Sequence, residues 1–319
     1  MSFKYLINEH LLAYPEIQTS DLIKLAYQSV YGPYHLFNYD SVLANLLNEE
    51  VNVSSKIEYL GDKYARYYFN KQTDLNLLFN LLIKSMKKQD NDKLFLSYLN
   101  LIEDREGVDS YLKDGIRDIH HSDRYRLLYK PHYRVIEKDY ASYFKVLQKV
   151  GEIIRDNPRA IIAIDGMCCS GKTYLSKIIS SIYDVEVIHS DDFYLPKDKR
   201  EFDWFDRIGG NMNLSYLKKA SIQKEYQPFD CRSQAYGLSV KLQDKPLIVE
   251  GTYSLLIDDI YDFKIFLTCD DSVQLDRLKK REEDINSFTT IWLVKERAYF
   301  DKLDINNNKV MIVNTNEYF

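Results

Sequence analysis

One eight-residue segment constrains the fold of this chain more than any other feature of the sequence. It reads Gly166-Met167-Cys168-Cys169-Ser170-Gly171-Lys172-Thr173. The segment matches the pattern G-x-x-x-x-G-K-[ST] at every fixed position. An apolar run at residues 160–164 leads into it, and a helical pattern at residues 174–179 follows it. A strand, a glycine-containing loop and a helix in this order predict a phosphate-binding loop.

The residue types in this loop account for phosphate binding. Gly166 and Gly171 let the backbone turn tightly and approach an anion closely. Amide groups of the loop and of the helix N-terminus then point at phosphate oxygens. Lys172 supplies a positive charge for the β- and γ-phosphates, and Thr173 offers a hydroxyl to Mg²⁺, which prefers oxygen ligands. The predicted nucleotide contacts are Gly166, Cys168, Cys169, Ser170, Gly171, Lys172 and Thr173.

The chain has four cysteines, two of them adjacent in this loop. Cys168 and Cys169 occupy its variable positions, where they are either spacers or a redox-active vicinal pair. Neither they nor Cys231 and Cys269 form a C-x-x-C pair or a zinc-site spacing. Reduced thiols are typical of a cytoplasmic protein, which is the localisation we expect.

The sequence divides near Pro158, which disfavours helix at the residue before it and should end a helix through residues 143–154. Before this point apolar residues recur at spacings of three and four, with no strand alternation. We therefore predict an all-α domain over residues 1–155. Its clearest helical segments are residues 20–26, 74–83 and 93–99.

After Pro158 short apolar runs alternate with helical patterns. Strands that alternate with helices indicate βαβ units. Residues 156–319 are therefore predicted to form an α/β domain, a parallel sheet with helices on both faces. The predicted strands are residues 160–164, 185–189, 246–249, 263–268 and 309–313.

Composition excludes several other classes of protein. Hydrophobic residues make up 45% of the chain and charged residues 29%, which argues against a disordered chain. The net charge of −5 argues against a broad cationic surface for nucleic acid or anionic lipid. No apolar run reaches 18 residues, so a membrane span is not expected. The first residues also lack the pattern of a secretory signal.

A P-loop alone occurs in kinases, GTPases and motor ATPases. The sequence contains neither the guanine-reading N-K-x-D pattern after its P-loop nor an ABC-type signature. A small-molecule kinase needs an acceptor base and a cationic lid. Asp191 follows a predicted strand and is the candidate base, with Asp192 as the alternative. A helix cap or turn is the other interpretation of this acidic pair.

A second acid and two arginines complete the candidate site. Glu250 ends the predicted strand at residues 246–249 and is a candidate Mg²⁺ ligand, or a cap of the next helix. Residues 272–281 read as a helix that places Arg277 and Arg281 on one face. These arginines could close over the phosphoryl group, with the polar residues 282–287 as a hinge. A solvated charged helix is the alternative.

With these motifs the chain resembles the uridine kinase, phosphoribulokinase and bacterial pantothenate kinase group of P-loop kinases. The likeness covers residues 160–319, about half the chain. It depends on the ordered motifs AIDGMCCSGKT, HSDDFYLP, RIGGN, PFDC, LIVEGTYSL, YDFKIFLTCD, the Arg277/Arg281 helix and the residues Trp292, Glu296, Tyr299 and Phe300.

This resemblance implies a nucleoside-monophosphate-kinase-like P-loop NTPase fold, with ATP and Mg²⁺ as cofactors. It implies phosphoryl transfer to an alcohol on a small molecule, with uridine as the leading candidate. Asp191 matches the family's base, Glu250 its strand-end acid, and Arg277 and Arg281 its lid. The segments of the nucleoside kinases that bind ribose and base are not cleanly reproduced. The segments 207–211 and 228–231 occupy those regions and either contact the acceptor or shape loops; their candidate contacts are Arg207, Asn211 and Phe229. Asp192 and Tyr194, next to Asp191, are further candidate acceptor contacts, and the aromatic residues there can form a wall of the acceptor pocket.

Residues 1–155 resemble no family. The segment 117–134 mixes cationic and aromatic side chains, as phosphate- and nucleic-acid-binding surfaces do. Ordinary ion pairs and half-buried tyrosines are the simpler interpretation. The domain could regulate the α/β domain, could mediate formation of a homo-oligomer, or could form one wall of the acceptor pocket. Two other functions stay open: a nucleotide-sensing module that controls binding of a protein or RNA partner, and a nucleic-acid end kinase, which the acidic charge disfavours.

Overall fold

A computed structural model of the chain describes residues 2–34, 39–49, 54–87, 90–282, 285–303 and 310–317. The chain divides into two compact units, Met1–Gln148 and Lys149–Phe319. This division and the predicted boundary at residue 155 fall within one helix, Phe144–Asp156. The helix ends two residues before Pro158, which confirms the predicted effect of this proline.

The first unit is mainly helical. The three segments predicted to be helices, 20–26, 74–83 and 93–99, lie within helices of the structure and are confirmed. Leu25 of the first segment and Phe95 of the third are fully buried in one core cluster. The helices are α1 (Phe3–Ala13), α2 (Thr19–Tyr31), α3 (Tyr39–Asn48), α4 (Leu75–Ser85), α5 (Asp92–Leu99), α6 (Arg105–Leu112), α7 (Asp123–Tyr129), α8 (Lys138–Ser142) and α9 (Phe144–Asp156).

The first unit also contains a sheet, so the prediction of an all-α domain over residues 1–155 is wrong. Strands β1 (Lys56–Tyr59), β2 (Tyr64–Tyr68) and β3 (Tyr133–Glu137) pair antiparallel in the order β1-β2-β3. The central strand β2 is buried at all five positions. A strand buried on both faces does not alternate polar and apolar residues, and that alternation is the pattern by which a strand is predicted from sequence.

The second unit is built on a parallel sheet. Its five strands run in the order β12-β11-β4-β10-β5, and all five predicted strands are confirmed. Two short antiparallel pairs, β6 with β9 and β7 with β8, lie outside this sheet. The strands of the unit are β4 (Ile161–Gly166), β5 (Glu186–His189), β6 (Glu225–Tyr226), β7 (Phe229–Asp230), β8 (Ala235–Tyr236), β9 (Val240–Lys241), β10 (Leu247–Glu250), β11 (Phe263–Thr268) and β12 (Val310–Asn314).

Helices surround this sheet. The α-helices are α10 (Lys172–Ile182), α11 (Leu214–Gln223), α12 (Asp271–Arg281), α13 (Ile285–Ser287) and α14 (Leu293–Phe300). Three 3-10 segments are Ser190–Phe193, Lys197–Lys199 and Ser254–Ile260, and one π-helical turn is Phe288–Trp292.

The register of the sheet brings the functional segments to one edge. Glu250 at the end of β10 pairs with Ile164 of β4 on one side and with His189 of β5 on the other. The chain segments that follow β4, β5 and β10 therefore leave the sheet side by side. In open α/β sheets ligands bind at the carboxyl ends of the strands. The order and register of the strands therefore place the P-loop, Asp191 and Glu250 at the same edge of the sheet.

Candidate active site

The loop that joins β4 to α10 begins at a glycine whose surroundings exclude a side chain. Gly166 has φ +141°, a conformation that L residues rarely adopt. A Cβ atom there would lie 2.2 Å from the main-chain oxygen of Leu267 in the neighbouring strand β11. Gly171, with φ +95°, stands immediately before α10. The backbone between these two glycines therefore takes the tight course that the motif predicts.

Lys172 is the first residue of α10, and its ammonium folds back over the loop. Nζ donates to the carbonyl oxygen of Gly166 at 2.8 Å and to that of Met167 at 2.9 Å. Both partners are neutral main-chain groups. The positive charge of Lys172 therefore stays available to an anion bound at the loop.

Glu250 and Thr173, the predicted pair of oxygen ligands, lie in contact. Glu250 is 4% exposed, and its Oε1 accepts a hydrogen bond from Thr173 Oγ1 at 3.0 Å. The same oxygen lies 2.5 Å from His189 Nδ1, and this hydrogen bond raises the pKa of His189. His189 is a neighbour of the site that the sequence did not indicate.

In the 3-10 segment after β5, the carboxylates of two adjacent residues have different surroundings. Asp191 lines the same cavity as Lys172. Asp192 turns away, and its Oδ2 accepts a hydrogen bond from the hydroxyl of Tyr226 at 3.2 Å. Burial raises the pKa of Asp192. Of the two candidate bases, Asp191 is therefore the one that can reach a substrate in this cavity.

The two arginines on α12 make different contacts. Arg277 donates to the main-chain oxygen of Thr315 at 2.5 Å and to its hydroxyl at 3.1 Å. Arg281 is half exposed, and its Nη2 lies 3.1 Å from the sulfur of Cys168. Both arginines line the cavity. Part of the predicted hinge, residues 282–287, lies outside the described residues.

The vicinal thiols lie close together at the same place. Cys168 Sγ and Cys169 Sγ are 3.8 Å apart. The hydrogen bond from Cys169, together with the charges of Arg281 and Lys172, outweighs burial and lowers the pKa of Cys168 to about 6. The same hydrogen bond and burial raise the pKa of Cys169. Cys168 is therefore the thiolate of this pair at neutral pH.

One further acid faces the P-loop and belongs to α14. Glu296 Oε2 accepts a hydrogen bond from the backbone amide of Cys168 at 2.8 Å. The hydroxyl of Thr252 donates to its other oxygen at 3.4 Å. Glu296 is 8% exposed, and burial raises its pKa to about 7. The sequence indicated this residue only as part of the resemblance and gave it no role in the site.

These groups share one cavity of about 1120 Å³. Ten of the predicted site residues line it: Cys168, Cys169, Gly171, Lys172, Thr173, Asp191, Tyr194, Glu250, Arg277 and Arg281. The lining also includes side chains that the sequence did not single out for the site: Lys197, Arg200, Gln234, Tyr253, Phe288, Trp292 and Glu296. Cationic, acidic and aromatic groups thus meet around a space large enough for a nucleotide and a second small molecule.

The other predicted residues do not line this cavity. Gly166 and Ser170 lie within the loop, and the side chain of Ser170 is fully buried. Among the predicted acceptor contacts, Arg207 is exposed and pairs with Glu201, while Asn211 is buried. Phe229 is buried as well, and Asp192 bonds to a tyrosine. No residue of RIGGN lines the cavity, whereas PFDC contributes Cys231 to the lining. Tyr194 is the predicted acceptor residue that lines the cavity.

The fold and this site define a class of protein. A parallel sheet whose central strand leads through G-x-x-x-x-G-K-T into a helix is the P-loop nucleotide-binding fold of the α/β class. The predicted fold class is confirmed for the second unit.

No protein-family model matches the sequence, and no curated protein matches it. Among solved structures, the chain is similar to one described as a possible uridine kinase from Bacillus stearothermophilus. The two sequences are 18% identical, the match covers 53% of this chain and 97% of that chain, and the TM-score is 0.40. The chain is also similar to thymidylate kinase from Candida albicans, with 15% identity, 50% and 85% covered, and a TM-score of 0.28. Both TM-scores are too low to carry an argument about activity or substrate.

Across the described ranges, no helix combines the length and the apolar character that crossing a lipid bilayer requires.

Proposed function

We propose that this chain is an ATP-dependent small-molecule kinase that transfers the γ-phosphoryl group of ATP to an alcohol acceptor. One observation carries the proposal. The P-loop, the strand-end carboxylate of Asp191 and the guanidinium groups of Arg277 and Arg281 line a single cavity. A P-loop alone would serve any nucleotide-binding protein, whereas a carboxylate and arginines around it suit transfer to a second substrate.

The mechanism follows from the position of each group. The loop amides and Lys172 hold the β- and γ-phosphates. Asp191 accepts the proton of the acceptor hydroxyl. The acceptor oxygen forms a bond to the γ-phosphorus while the bond from that phosphorus to the β,γ-bridging oxygen breaks, and ADP leaves. Arg281 stabilises the negative charge on the transferring oxygens.

Thr173 and Glu250 fit a magnesium ion. Both offer oxygen atoms, and these oxygens lie 3.0 Å apart beside the P-loop. Mg²⁺ usually takes one or two carboxylates, substrate phosphates and water rather than a complete protein cage. When bound, the ion would neutralise charge on the phosphate oxygens.

The aromatic part of the lining indicates the class of acceptor. Tyr194, Tyr253 and Trp292 offer ring surfaces, and Lys197 and Gln234 offer polar groups. Rings of this kind stack on planar ligands, and the polar groups can fix their orientation. A nucleoside such as uridine is therefore the leading acceptor within the proposed class.

The test is release of ADP from Mg²⁺-ATP against a panel of acceptors. The panel holds pyrimidine and purine nucleosides, pantothenate, nicotinamide riboside, glycerate and simple sugars. We expect one class of acceptor to stimulate turnover, and Asp191→Asn and Lys172→Ala to abolish it. Asp192→Asn is the matched control, because the same change falls one residue away on a side chain that does not line the cavity. Slow hydrolysis that no acceptor stimulates would contradict the proposal and favour a nucleotide sensor.

A further inference from the structure

Helix α2 in the first unit buries a stripe of polar side chains. Asp21, Lys24 and Gln28 follow one another at spacings of three and four, so they share one face of the helix. They are 1%, 8% and 3% exposed. Helix faces that point into a protein are usually apolar, and buried polar groups are costly unless they are hydrogen bonded. Each residue of this stripe therefore needs a partner.

Asp21 has its partners within the unit. One oxygen accepts from the amide of Ser122 at 2.9 Å, and the other accepts from the hydroxyl of that residue at 2.7 Å. His121 Nδ1 lies 2.9 Å from Asp21 Oδ1. Burial lowers the pKa of His121 to about 4, so the ring is neutral and donates this proton to Asp21. Its Nε2 then accepts from the hydroxyl of Tyr133 at 2.5 Å.

In the Gln28 side chain, only the amide oxygen has hydrogen-bond partners among the described residues. Its amide oxygen accepts from Nε of Arg66 at 2.9 Å and from Nη2 at 2.8 Å. Arg66 is 1% exposed and pairs with Glu58 at 3.2 Å. These two donors fix which end of the Gln28 amide is oxygen. The amide NH₂ of Gln28 then has no hydrogen bond to any described residue.

Lys24 lacks an anionic partner. Its Nζ donates to the carbonyl oxygen of Ile119 at 2.9 Å, and it has no ion pair within the part of the chain that the structure describes. Burial, and after it the charge of Arg66, lower the pKa of Lys24 to about 8, although the carboxylates of Asp118 and Asp21, which form no ion pair with it, act in the opposite direction. Lysine is almost never buried without a charged partner. An acceptor is therefore missing at this ammonium.

A cavity of about 250 Å³ opens at this place. Lys24, Gln28, His121, Tyr133 and Arg134 line it together with the exposed side chain of Asn45 and with apolar side chains. A water molecule occupies about 30 Å³ of liquid, so the cavity has room for a small molecule rather than a single atom. Among the buried side chains of the lining, the groups without a full set of partners are donors: the ammonium of Lys24 and the amide NH₂ of Gln28. Arg134, which pairs with Glu49, adds a third donor group and the second cation.

We propose that this cavity binds a small molecule through an oxyanion, a phosphate or carboxylate group held by Lys24, Gln28 and Arg134. The inference is independent of the proposed kinase activity. It also assigns a role to part of the segment 117–134, which supplies His121, Tyr133 and Arg134 to the lining.

The test is calorimetric titration of the full chain with inorganic phosphate and, separately, with acetate, against chloride at equal ionic strength. The host protein carries Lys172→Ala to weaken the P-loop. Lys24→Met is made in this host, and Lys4→Met, on the exposed surface of α1, is the matched control. We expect Lys24→Met to weaken binding at least tenfold and Lys4→Met to leave it within twofold.

Binding of phosphate alone, or of acetate alone, supports the proposal and identifies the group that is recognised. Binding of neither anion, or equal binding by the Lys24→Met and Lys4→Met proteins, overturns it. Arg134→Gln, nearer the surface, keeps the test valid if Lys24→Met does not fold, and it should weaken binding in the same direction. A Lys24→Met protein that is destabilised but binds the anions as its host does would show a purely structural lysine.

Discussion

The carboxylate of Glu296 on α14 accepts a hydrogen bond from the backbone amide of Cys168 at 2.8 Å. An acidic side chain thus takes one of the amides with which a P-loop usually holds phosphate. Glu296 is nearly buried, and burial raises its pKa to about 7. The charge of this carboxylate therefore changes in the range of physiological pH, at the place where a nucleotide brings further negative charge.

Nucleotide binding is expected to be accompanied by proton uptake at Glu296. The groups that act on its pKa are Lys172, which lowers it, and Cys168 and Asp165, which raise it. An arriving phosphate is a further anion and raises the pKa again. Affinity for ADP should therefore fall as pH rises from 6 to 8, by at most about tenfold per pH unit. Glu296→Gln should flatten this dependence, as measured by calorimetry at each pH.

The control for this measurement is Cys168→Ser, since the thiol of Cys168 also titrates near neutral pH, with a pKa of about 6. If Glu296 is responsible, the serine variant keeps the slope of the wild-type protein. Titration of the nucleotide itself is common to all three proteins and cancels in the comparison. An equal pH slope in the wild-type and Glu296→Gln proteins would contradict the prediction.

Substitutions of Arg277 and Arg281, the two arginines of the proposed lid, should differ in their effects on activity and stability. Arg281→Met is expected to lower kcat on the order of 10³-fold, because an arginine that stabilises the transferring group contributes about this much. Its effect on stability should stay within about 0.5 kcal/mol, since the side chain is half exposed. Arg277→Met should also destabilise the fold by roughly 1–3 kcal/mol, because it leaves Thr315 without its donor.

Steady-state kinetics and thermal unfolding of both variants check this prediction. Lys279→Met, an exposed lysine of the same helix that does not line the cavity, is the matched control. Full activity of the Arg281→Met protein would exclude this side chain from catalysis.

The sequence could predict those parts of the site that are encoded locally. The P-loop is a contiguous motif, and Glu250 closes a short apolar run whose length and flanking Pro246 and Gly251 favour a buried strand. Both the P-loop motif and the apolar run consist of residues that are adjacent in the sequence. The five strands of the parallel sheet in the second unit were predictable for the same reason, because Gly, Pro and polar residues bound each apolar run.

Other parts depend on contacts between distant segments. Glu296 and Cys168 are 128 positions apart, and nothing near Glu296 in the sequence says that its helix packs on the P-loop. Asp191 and Asp192 are chemically identical, and only the direction of each side chain distinguishes them. In the first unit, β2 is buried on both faces and carries Arg66 at its centre, so neither alternation nor apolarity predicts a strand there.

Cys168 should react faster with alkylating agents than an ordinary thiol. Its pKa of about 6 makes it mostly thiolate at pH 7, and it lines the nucleotide cavity. We expect iodoacetamide to inactivate the protein and excess ATP to protect it. Mass spectrometry should place the label on Cys168 before Cys169, whose pKa is raised. Cys168→Ser should resist inactivation, whereas labelling of Cys231 alone, with loss of activity, would contradict this assignment.

Gly166→Ala should destabilise the second unit strongly for so small a substitution. A Cβ there meets the main-chain oxygen of Leu267 at 2.2 Å, and φ is +141°. Backbone strain of this kind costs about 1–3 kcal/mol, and the clash adds to it because neither strand can move alone. Gly209→Ala is the matched control in the same unit. Its φ is also positive, at +65°, but the new Cβ meets only the ends of side chains, Leu256 Cδ1 at 2.8 Å and Leu214 Cδ1 at 3.2 Å.

The control should therefore lose roughly 1–2 kcal/mol. Thermal unfolding followed by circular dichroism compares the two variants, and ADP binding reports on the loop. We expect Gly166→Ala to lose both stability and ADP binding, whereas Gly209→Ala should keep its ADP affinity. A Gly166→Ala protein as stable as the Gly209→Ala protein would mean that β4 and β11 can separate at their carboxyl ends. In that case the close approach of these strands would not be what holds the P-loop in place.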